Sequence, residues 1–276
     1  MIASISKVKE LLTKYDLQAK KRYGQNFLID SNVVKKIIDT ANIDKDTIVI
    51  EIGPGLGSMT EGLCMVANKV IAFEIDHDMV EILNNELKFD NLTVIEKDIL
   101  KVDLKDYVTE DKRTIVVSNL PYYITTPIIS KILVDDIVSE IFVMVQDEVA
   151  DRLTSNVGSK DYGSLSVLIN YYSSSKYEFK VTRNCFYPSP NVDSAIVSMK
   201  KNKKDYKLNN EAKFLKFTQD IFETRRKTLV NNVLRKYDIN RAKIEEILEE
   251  RGFSKDVRSE CLTLDDIIYI YRKMCE

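Results

Sequence analysis

The chain has 276 residues, 44% hydrophobic and 30% charged, with 41 Lys and Arg against 43 Asp and Glu; that length accommodates one large α/β domain plus a small second one. No run approaches the roughly 18 apolar residues of a membrane span, and residues 1–14 lack the uninterrupted apolar core of a signal peptide. A lone histidine, His77, all but excludes Ser-His-Asp or histidine-rich metal chemistry, and the dispersed Cys64, Cys185, Cys261 and Cys275 read as reduced thiols of a cytoplasmic protein, without zinc or disulfides.

In chain order, a helix over 5–15 precedes the basic stretch Lys20-Lys21-Arg22, and a second helix starts at Asp30 or Ser31, either of which can cap it. Alternation follows. Apolar, β-branched strands are expected over 47–52, 69–74, 92–96, 114–118 and 140–145, and helices over 58–66, 78–87 and 126–133. His77 then falls in a loop. Continuous apolar strands alternating with helices indicate a mostly parallel sheet covered on both faces. After residue 150 the pattern changes to a buried helix over 164–172 and an antiparallel pair of strands over 177–181 and 194–199. A polar linker over 200–207 leads to helices over 211–222, 226–234, 241–250 and 263–273, with Asn240 and Thr263 as N-caps and Gly252 as a C-cap. The division expected is 1–203 for an α/β domain and 204–276 for an all-α domain.

The segment Glu51-Ile52-Gly53-Pro54-Gly55-Leu56-Gly57 follows the first long strand and opens a helix. Glycines such as Gly53 and Gly55 let the backbone turn sharply and approach a ligand where a Cβ would collide. Glu74 ends the next strand and can hold the hydroxyls of a ribose; Asp98 follows the third strand and can accept from an adenine amine. These residues point to a bound nucleotide and leave its identity open, since a nicotinamide enzyme would use the same pattern.

Asn119-Leu120-Pro121-Tyr122, at the end of the fourth strand, narrows the choice. An exocyclic amine such as adenine N6 is a poor nucleophile because its lone pair is delocalised into the ring. Two acceptors on its N–H groups, the Asn119 side-chain oxygen and the Leu120 carbonyl, can hold it with that lone pair toward a methyl donor. Pro121 restricts Leu120 to extended backbone. Tyr122 offers a face for stacking a base, worth about 1–3 kcal/mol, and the base must leave its own stack to reach it. Phe186, in the loop Phe186-Tyr187-Pro188-Ser189-Pro190, either supplies a second aromatic wall or packs in the core.

Five blocks together resemble the small-subunit rRNA adenine N6,N6-dimethyltransferases: Lys21 to Leu28, Glu51 to Gly57, Asn119 to Tyr122, Phe186 to Ala195, and Arg225-Arg226-Lys227-Thr228-Leu229. The resemblance runs from about Lys20 to the C-terminal helices. It implies a class I, Rossmann-like S-adenosylmethionine-dependent methyltransferase fold with a small helical C-terminal domain. It implies S-adenosylmethionine contacts from Asn26, Leu28, Gly53, Glu74, Asp98 and Asn119, with Gly55 in the same glycine turn; methyl transfer from a sulfonium releases a neutral leaving group, so no metal is expected. It also implies the substrate, two adjacent adenosines in the 3′-terminal hairpin loop of 16S rRNA, dimethylated in the assembling small (pre-30S) subunit. The related large-subunit rRNA adenine methyltransferases share the Gln-Asn-Phe and Asn-x-Pro-Tyr blocks, but the Gly-Pro-Gly-Leu-Gly turn and the Val192-Asp193-Ser194-Ala195 run favour the small-subunit branch. Tyr123 stands where many members have Asn, and Ser189 replaces a common proline.

Residues 1–36 carry eight Lys and Arg against three Asp and Glu, and residues 200–276 carry nineteen against fourteen, flanking an acidic centre. Lys20, Lys21, Arg22, Arg225, Arg226 and Lys227 are accordingly candidates for RNA phosphates. Nothing demands more than a monomer. The competing expectations are a nicotinamide oxidoreductase, a large-subunit rRNA methyltransferase, and a non-catalytic ribosome assembly factor on the same fold.

Overall fold

The structure is a computed structural model that describes residues 1–19, 24–108, 112–202 and 206–275. Its strands are β1 (Phe27–Leu28), β2 (Thr47–Ile52), β3 (Lys69–Glu74), β4 (Leu92–Glu96), β5 (Arg113–Asn119), β6 (Glu140–Gln146), β7 (Ser173–Val181), β8 (Phe186–Tyr187) and β9 (Ser194–Lys201). Its helices are α1 (Ile5–Lys14), α2 (Ser31–Ala41), α3 (Ser58–Val66), α4 (His77–Glu86), α5 (Thr125–Val134), α6 (Asp147–Leu153), α7 (Ser164–Tyr172), α8 (Glu211–Ile221), α9 (Leu229–Leu234), α10 (Arg241–Glu250) and α11 (Leu264–Cys275).

Seven strands form one sheet in the order β4-β3-β2-β5-β6-β9-β7. The pairs from β4 to β6 are parallel, and β9 runs antiparallel to β6. Every residue of β2 is buried, as a strand covered on both faces requires. Val49, Ile115 and Val117 pack with Val34, Ile37 and Leu63 of α2 and α3 in one core cluster. Residues of α1 and α4, among them Val8, Leu11, Met79 and Leu83, build a second. Strand order reverses at β2, whose neighbours are β3 and β5, and such a switch point opens a crevice at the carboxyl ends of the strands. A separate ribbon pairs Phe27 with Tyr187 and Leu28 with Phe186, a long-range contact with no local sequence signature.

Capping follows the sequence. Asp30 accepts from Asn32 N–H and Asn240 from Ala242 N–H, while Thr263 and Asp266 cap the start of α11 reciprocally. Gly252 lies just past α10 at φ 75°. The helix expected over 226–234 starts later, at Leu229, because the Thr228 hydroxyl accepts from Asn231 N–H and makes Thr228 the cap. His77 is the first residue of α4 rather than a loop residue, its Nδ1 2.9 Å from Glu96 Oε2.

By internal contacts the chain divides into one unit of Met1–Ala150 with Ser175–Lys201 and another of Asp151–Ser174 with Asn202–Glu276. The segment carrying α7 thus groups with the C-terminal helices, whereas a single cut at 203/204 would leave it with the sheet. Tyr171 and Tyr172 of α7 both donate to Glu211, and the Tyr171 ring lies 5.3 Å from that of Phe214. No helix among the described residues is long and apolar enough to cross a membrane.

Candidate active site

A cleft of about 1050 Å³, counting its open mouth, lies at the carboxyl ends of β2, β3, β4 and β5. Asn26, Leu28, Gly53, Gly55, Glu74, Asp98, Asn119, Leu120, Pro121 and Tyr122 all line it. Asn26 and Tyr122, 96 positions apart in sequence, are thereby brought to one wall; Gly53, Glu74, Asp98 and Asn119 stand where parallel strands end, and Asn26 and Leu28 come from the β1 segment.

At the end of β2, Gly53 and Gly55 adopt φ 66° and 56°. A Cβ on Gly55 would come 3.2 Å from the Phe27 ring, so glycine keeps the turn both left-handed and close to β1. Glu74 ends β3, buried, and accepts from the Gly55, Ile75 and Asp76 N–H groups at 3.2, 2.8 and 2.9 Å. Burial raises its pKa above the ordinary value against the pull of those three donors. Glu51, on β2, is almost fully buried, and desolvation pushes its carboxyl up to about 8. Asp98 Oδ1 accepts from Leu100 N–H at 3.0 Å, which fixes the carboxylate at the end of β4, half-exposed toward the cleft.

The Asn119 to Tyr122 turn is held by contacts to four segments. Ser118 donates to the Ile52 carbonyl at 2.5 Å, tying β5 to β2. Asn119 Nδ2 donates to the Asn26 carbonyl at 3.3 Å, which directs the side-chain amide so that Oδ1 is the acceptor left for a ligand. Leu120 N–H donates to Met144, while no hydrogen bond from a described residue reaches the Leu120 carbonyl. Two acceptors on successive residues are thus available at one edge of the cleft. The Tyr122 hydroxyl lies 3.2 Å from Ser194 Oγ at the start of β9, and burial raises its pKa, so the ring stays neutral.

Phe186 lies elsewhere. It is buried in the core cluster with Leu28, its ribbon partner, and is not among the residues lining the cleft. Apolar packing is the environment its side chain has here. Arg225 is exposed on the second unit, and its guanidinium donates to the carbonyls of Lys160 and Tyr162. Arg226 and Lys227 are exposed in the turn before α9. Lys20, Lys21 and Arg22 lie outside the described residues.

Sequence reading missed the supports of the site. The Tyr122–Ser194 and Asn119–Asn26 contacts join segments 72 and 93 residues apart, and only the fold pairs them. Gln25 donates to the buried Asp76 at 2.9 Å, a link between two neighbouring motifs that no spacing rule signals.

A family model described as "Ribosomal RNA adenine dimethylase" matches residues 16–269. The chain belongs to that family. Among curated relatives of this rRNA adenine dimethylase, "Ribosomal RNA small subunit methyltransferase A" of Streptococcus sanguinis is 45% identical, over 96% of this chain and 95% of that protein. The protein of the same name from Staphylococcus aureus is 42% identical over 99% and 95%. Among solved structures, a dimethyladenosine transferase from Plasmodium falciparum superposes with a TM-score of 0.75 at 26% identity, covering 90% of this chain and 98% of that one. The 23S rRNA methyltransferase ErmE gives 0.66 at 25% identity, covering 91% and 100%. The α/β unit with its mostly parallel sheet is the class I methyltransferase fold.

Proposed function

We propose that this dimethylase transfers methyl groups from S-adenosylmethionine to N6 of two adjacent adenosines in the 3′-terminal hairpin loop of 16S rRNA, within the assembling small subunit. Small-subunit relatives at 41–45% identity along nearly the whole chain support that choice of RNA over the large-subunit alternative. The observation that carries the chemistry is the unclaimed pair of acceptors, Asn119 Oδ1 and the Leu120 carbonyl, on the same cleft as Glu74 and Asp98.

The residues present fit the cofactor. Glu74 offers a fixed carboxylate to ribose hydroxyls, Asp98 an acceptor to the adenine amine, and Gly53 and Gly55 a backbone without side chains. Asn26, Leu28 and Asn119 would complete the contacts. When bound, the sulfonium supplies an electrophilic methyl group and departs as a neutral thioether, so the displacement calls for no metal. Asn119 Oδ1 and the Leu120 carbonyl orient the target amine. Tyr122 holds the base plane, and Pro121 and Ser194 keep that arrangement rigid. The extra proton on N6 is lost to water once the new bond forms; no side chain is assigned as base.

Arg226 and Lys227, with Lys20, Lys21 and Arg22, would meet RNA phosphates. With a small-subunit substrate the chain would work in the cytoplasm, and a monomer would suffice for the site.

The test is Asn119→Ala. Removing one oriented acceptor should lower the methylation rate by about 100- to 1000-fold, the scale of a single preorganised polar contact, while most RNA binding persists. Wild-type rates in this variant would contradict the role given to Asn119. Methylation by the wild type that is lost in a variant still binding RNA also separates an enzyme from a non-catalytic assembly factor, and a calorimetric comparison of S-adenosylmethionine with NAD separates it from an oxidoreductase.

A further inference from the structure

The loop that leads into β9 has little apolar material to hold it. Between buried Phe186 and buried Ser194, the residues Pro188, Ser189, Asn191 and Val192 are exposed. Polar contacts hold it instead, and Lys180 is at their centre. Near the end of the edge strand β7, Lys180 places its Nζ 2.9 Å from Asp147 Oδ2 and 3.1 Å from Asp193 Oδ2. Asp147 stands just past β6 and Asp193 just before β9, so one cation ties the ends of β6, β7 and β9 together. Each carboxylate is also held by its other oxygen. The Tyr177 hydroxyl donates to Asp147 Oδ1 at 2.8 Å, and Arg183 N–H donates to Asp193 Oδ1 at 2.9 Å. Hydrogen bonds to Asp147 and Asp193 raise the pKa of Lys180, so it stays an ammonium. Asp147 N–H donates to the Asp193 carbonyl at 3.0 Å, at the point where β9 begins. The next residue is Ser194, opposite Gln146 in the β6–β9 ladder, with its Oγ 3.2 Å from the Tyr122 hydroxyl.

We propose that Lys180 is a positioning residue for the methyl transfer: it holds the start of β9 and, through Ser194, the Tyr122 ring against which the target base stacks. The inference rests on the reading above that Tyr122 receives that base. Lys180 is not among the residues lining the cleft, so it acts only through others. With the ammonium gone, Asp147 and Asp193 would face each other as two like charges and repel. Asp193 would then move with its exposed loop, and Ser194 with it. A contact of 3.2 Å between hydroxyls is already long for an O–H···O bond, so a small displacement breaks it. The base would still bind, but its N6 would be held out of line with the methyl donor, a cost that falls on the rate and not on binding.

The experiment uses the full chain and small subunits isolated from a strain deleted for this gene. Lys180→Met should lower kcat roughly 2- to 10-fold, the equivalent of one net hydrogen bond, and leave KM for subunits within about threefold. Exposed ion pairs add little to global stability, so the melting temperature should stay within about 4 °C of wild type. S-adenosylmethionine affinity measured by calorimetry should not move. Lys180→Arg, whose guanidinium can meet both carboxylates, should restore kcat. Lys180→Met combined with Asp147→Asn should recover part of it, because no like charge then faces Asp193. Lys180→Met combined with Ser194→Ala should be no slower than Ser194→Ala alone, since both changes cut the same path. Losses that multiply in that pair, an Arg variant as slow as the Met variant, no recovery with Asp147→Asn, or a raised KM at unchanged kcat would each overturn the positioning role. So would a Lys180→Met chain that melts far below wild type or fails to fold, the mark of a purely structural residue. If the wild-type chain transfers no methyl group to unmodified subunits, the function proposed above falls and this role with it. If wild type transfers and Lys180→Met matches its kcat, only the role of Lys180 falls.

Discussion

Glu51 and Glu74 are carboxylates on neighbouring parallel strands, both buried and both with pKa values raised chiefly by desolvation. Glu74 is compensated by three N–H donors, as suits a group that must offer acceptors to a ligand. Glu51 has one oxygen without a partner among the described residues and titrates near 8, so at neutral pH it is protonated in the folded chain. Unfolded, it ionises near 4.5. Between those values the folded state binds a proton that the unfolded state does not, so stability falls as pH rises through that window and levels off above it. Glu51→Gln should remove this slope. Urea denaturation of both proteins from pH 5 to 9 checks it, and parallel profiles would mean that Glu51 is ionised in the fold. Gly57 is a steric case. It sits at φ 88°, and an added Cβ would lie 2.8 Å from Leu87 and 2.9 Å from Leu83. Gly57→Ala should cost about 1–3 kcal/mol, read as a lowered melting temperature; an unchanged one would show that the turn relaxes freely. The glycine turn, Glu74, Asp98 and Asn119 were legible in the sequence because strand ends, glycines and acidic residues recur at fixed spacing in this architecture. The burial of Phe186 was not, since an aromatic residue two positions from a proline reads the same whether it faces a core or a cleft.

At the scale of elements, β5 delivers the Asn119 to Tyr122 turn and two distant segments hold it. Asn26, just before β1, accepts from Asn119, and Ser194, at the start of β9, meets Tyr122. Ser194→Ala should lower methylation by roughly 2- to 10-fold, the equivalent of one net hydrogen bond, and Ser194→Thr should recover part of it. No change on Ser194→Ala would mean that packing alone fixes Tyr122. The Arg225-Arg226-Lys227 run divides by role. Arg225 donates to two backbone carbonyls, so Arg225→Ala should destabilise the second unit in thermal melts. Arg226→Ala should leave stability alone and flatten the salt dependence of RNA binding by about 0.7–0.9 log units per log salt. The reverse assignment of those two outcomes would contradict this division. Helices and strands with strong periodicity were legible within a few residues. The late start of α9 depended on a threonine cap that outcompetes two helix-favouring basic residues, and the β1–β8 ribbon on a contact across some 160 residues.

On the scale of the whole chain, alternating strand and helix signals sufficed for the α/β class, because parallel strands covered on both faces carry uninterrupted apolar runs. The grouping of Asp151–Ser174 with the C-terminal helices was not legible, since it depends on what α7 packs against and not on α7 itself. Function was legible chiefly through the cleft motifs. Net charge, at −2, gave little hint of an RNA partner beyond its uneven distribution. The most direct measurement is mass spectrometry of the 3′-terminal 16S rRNA fragment from a strain deleted for this gene and complemented with either the wild-type chain or Asn119→Ala. Wild type should restore two adjacent N6,N6-dimethyladenosines and the variant should leave both unmodified. Full dimethylation in the deleted strain, or its restoration by Asn119→Ala, would contradict the assignment.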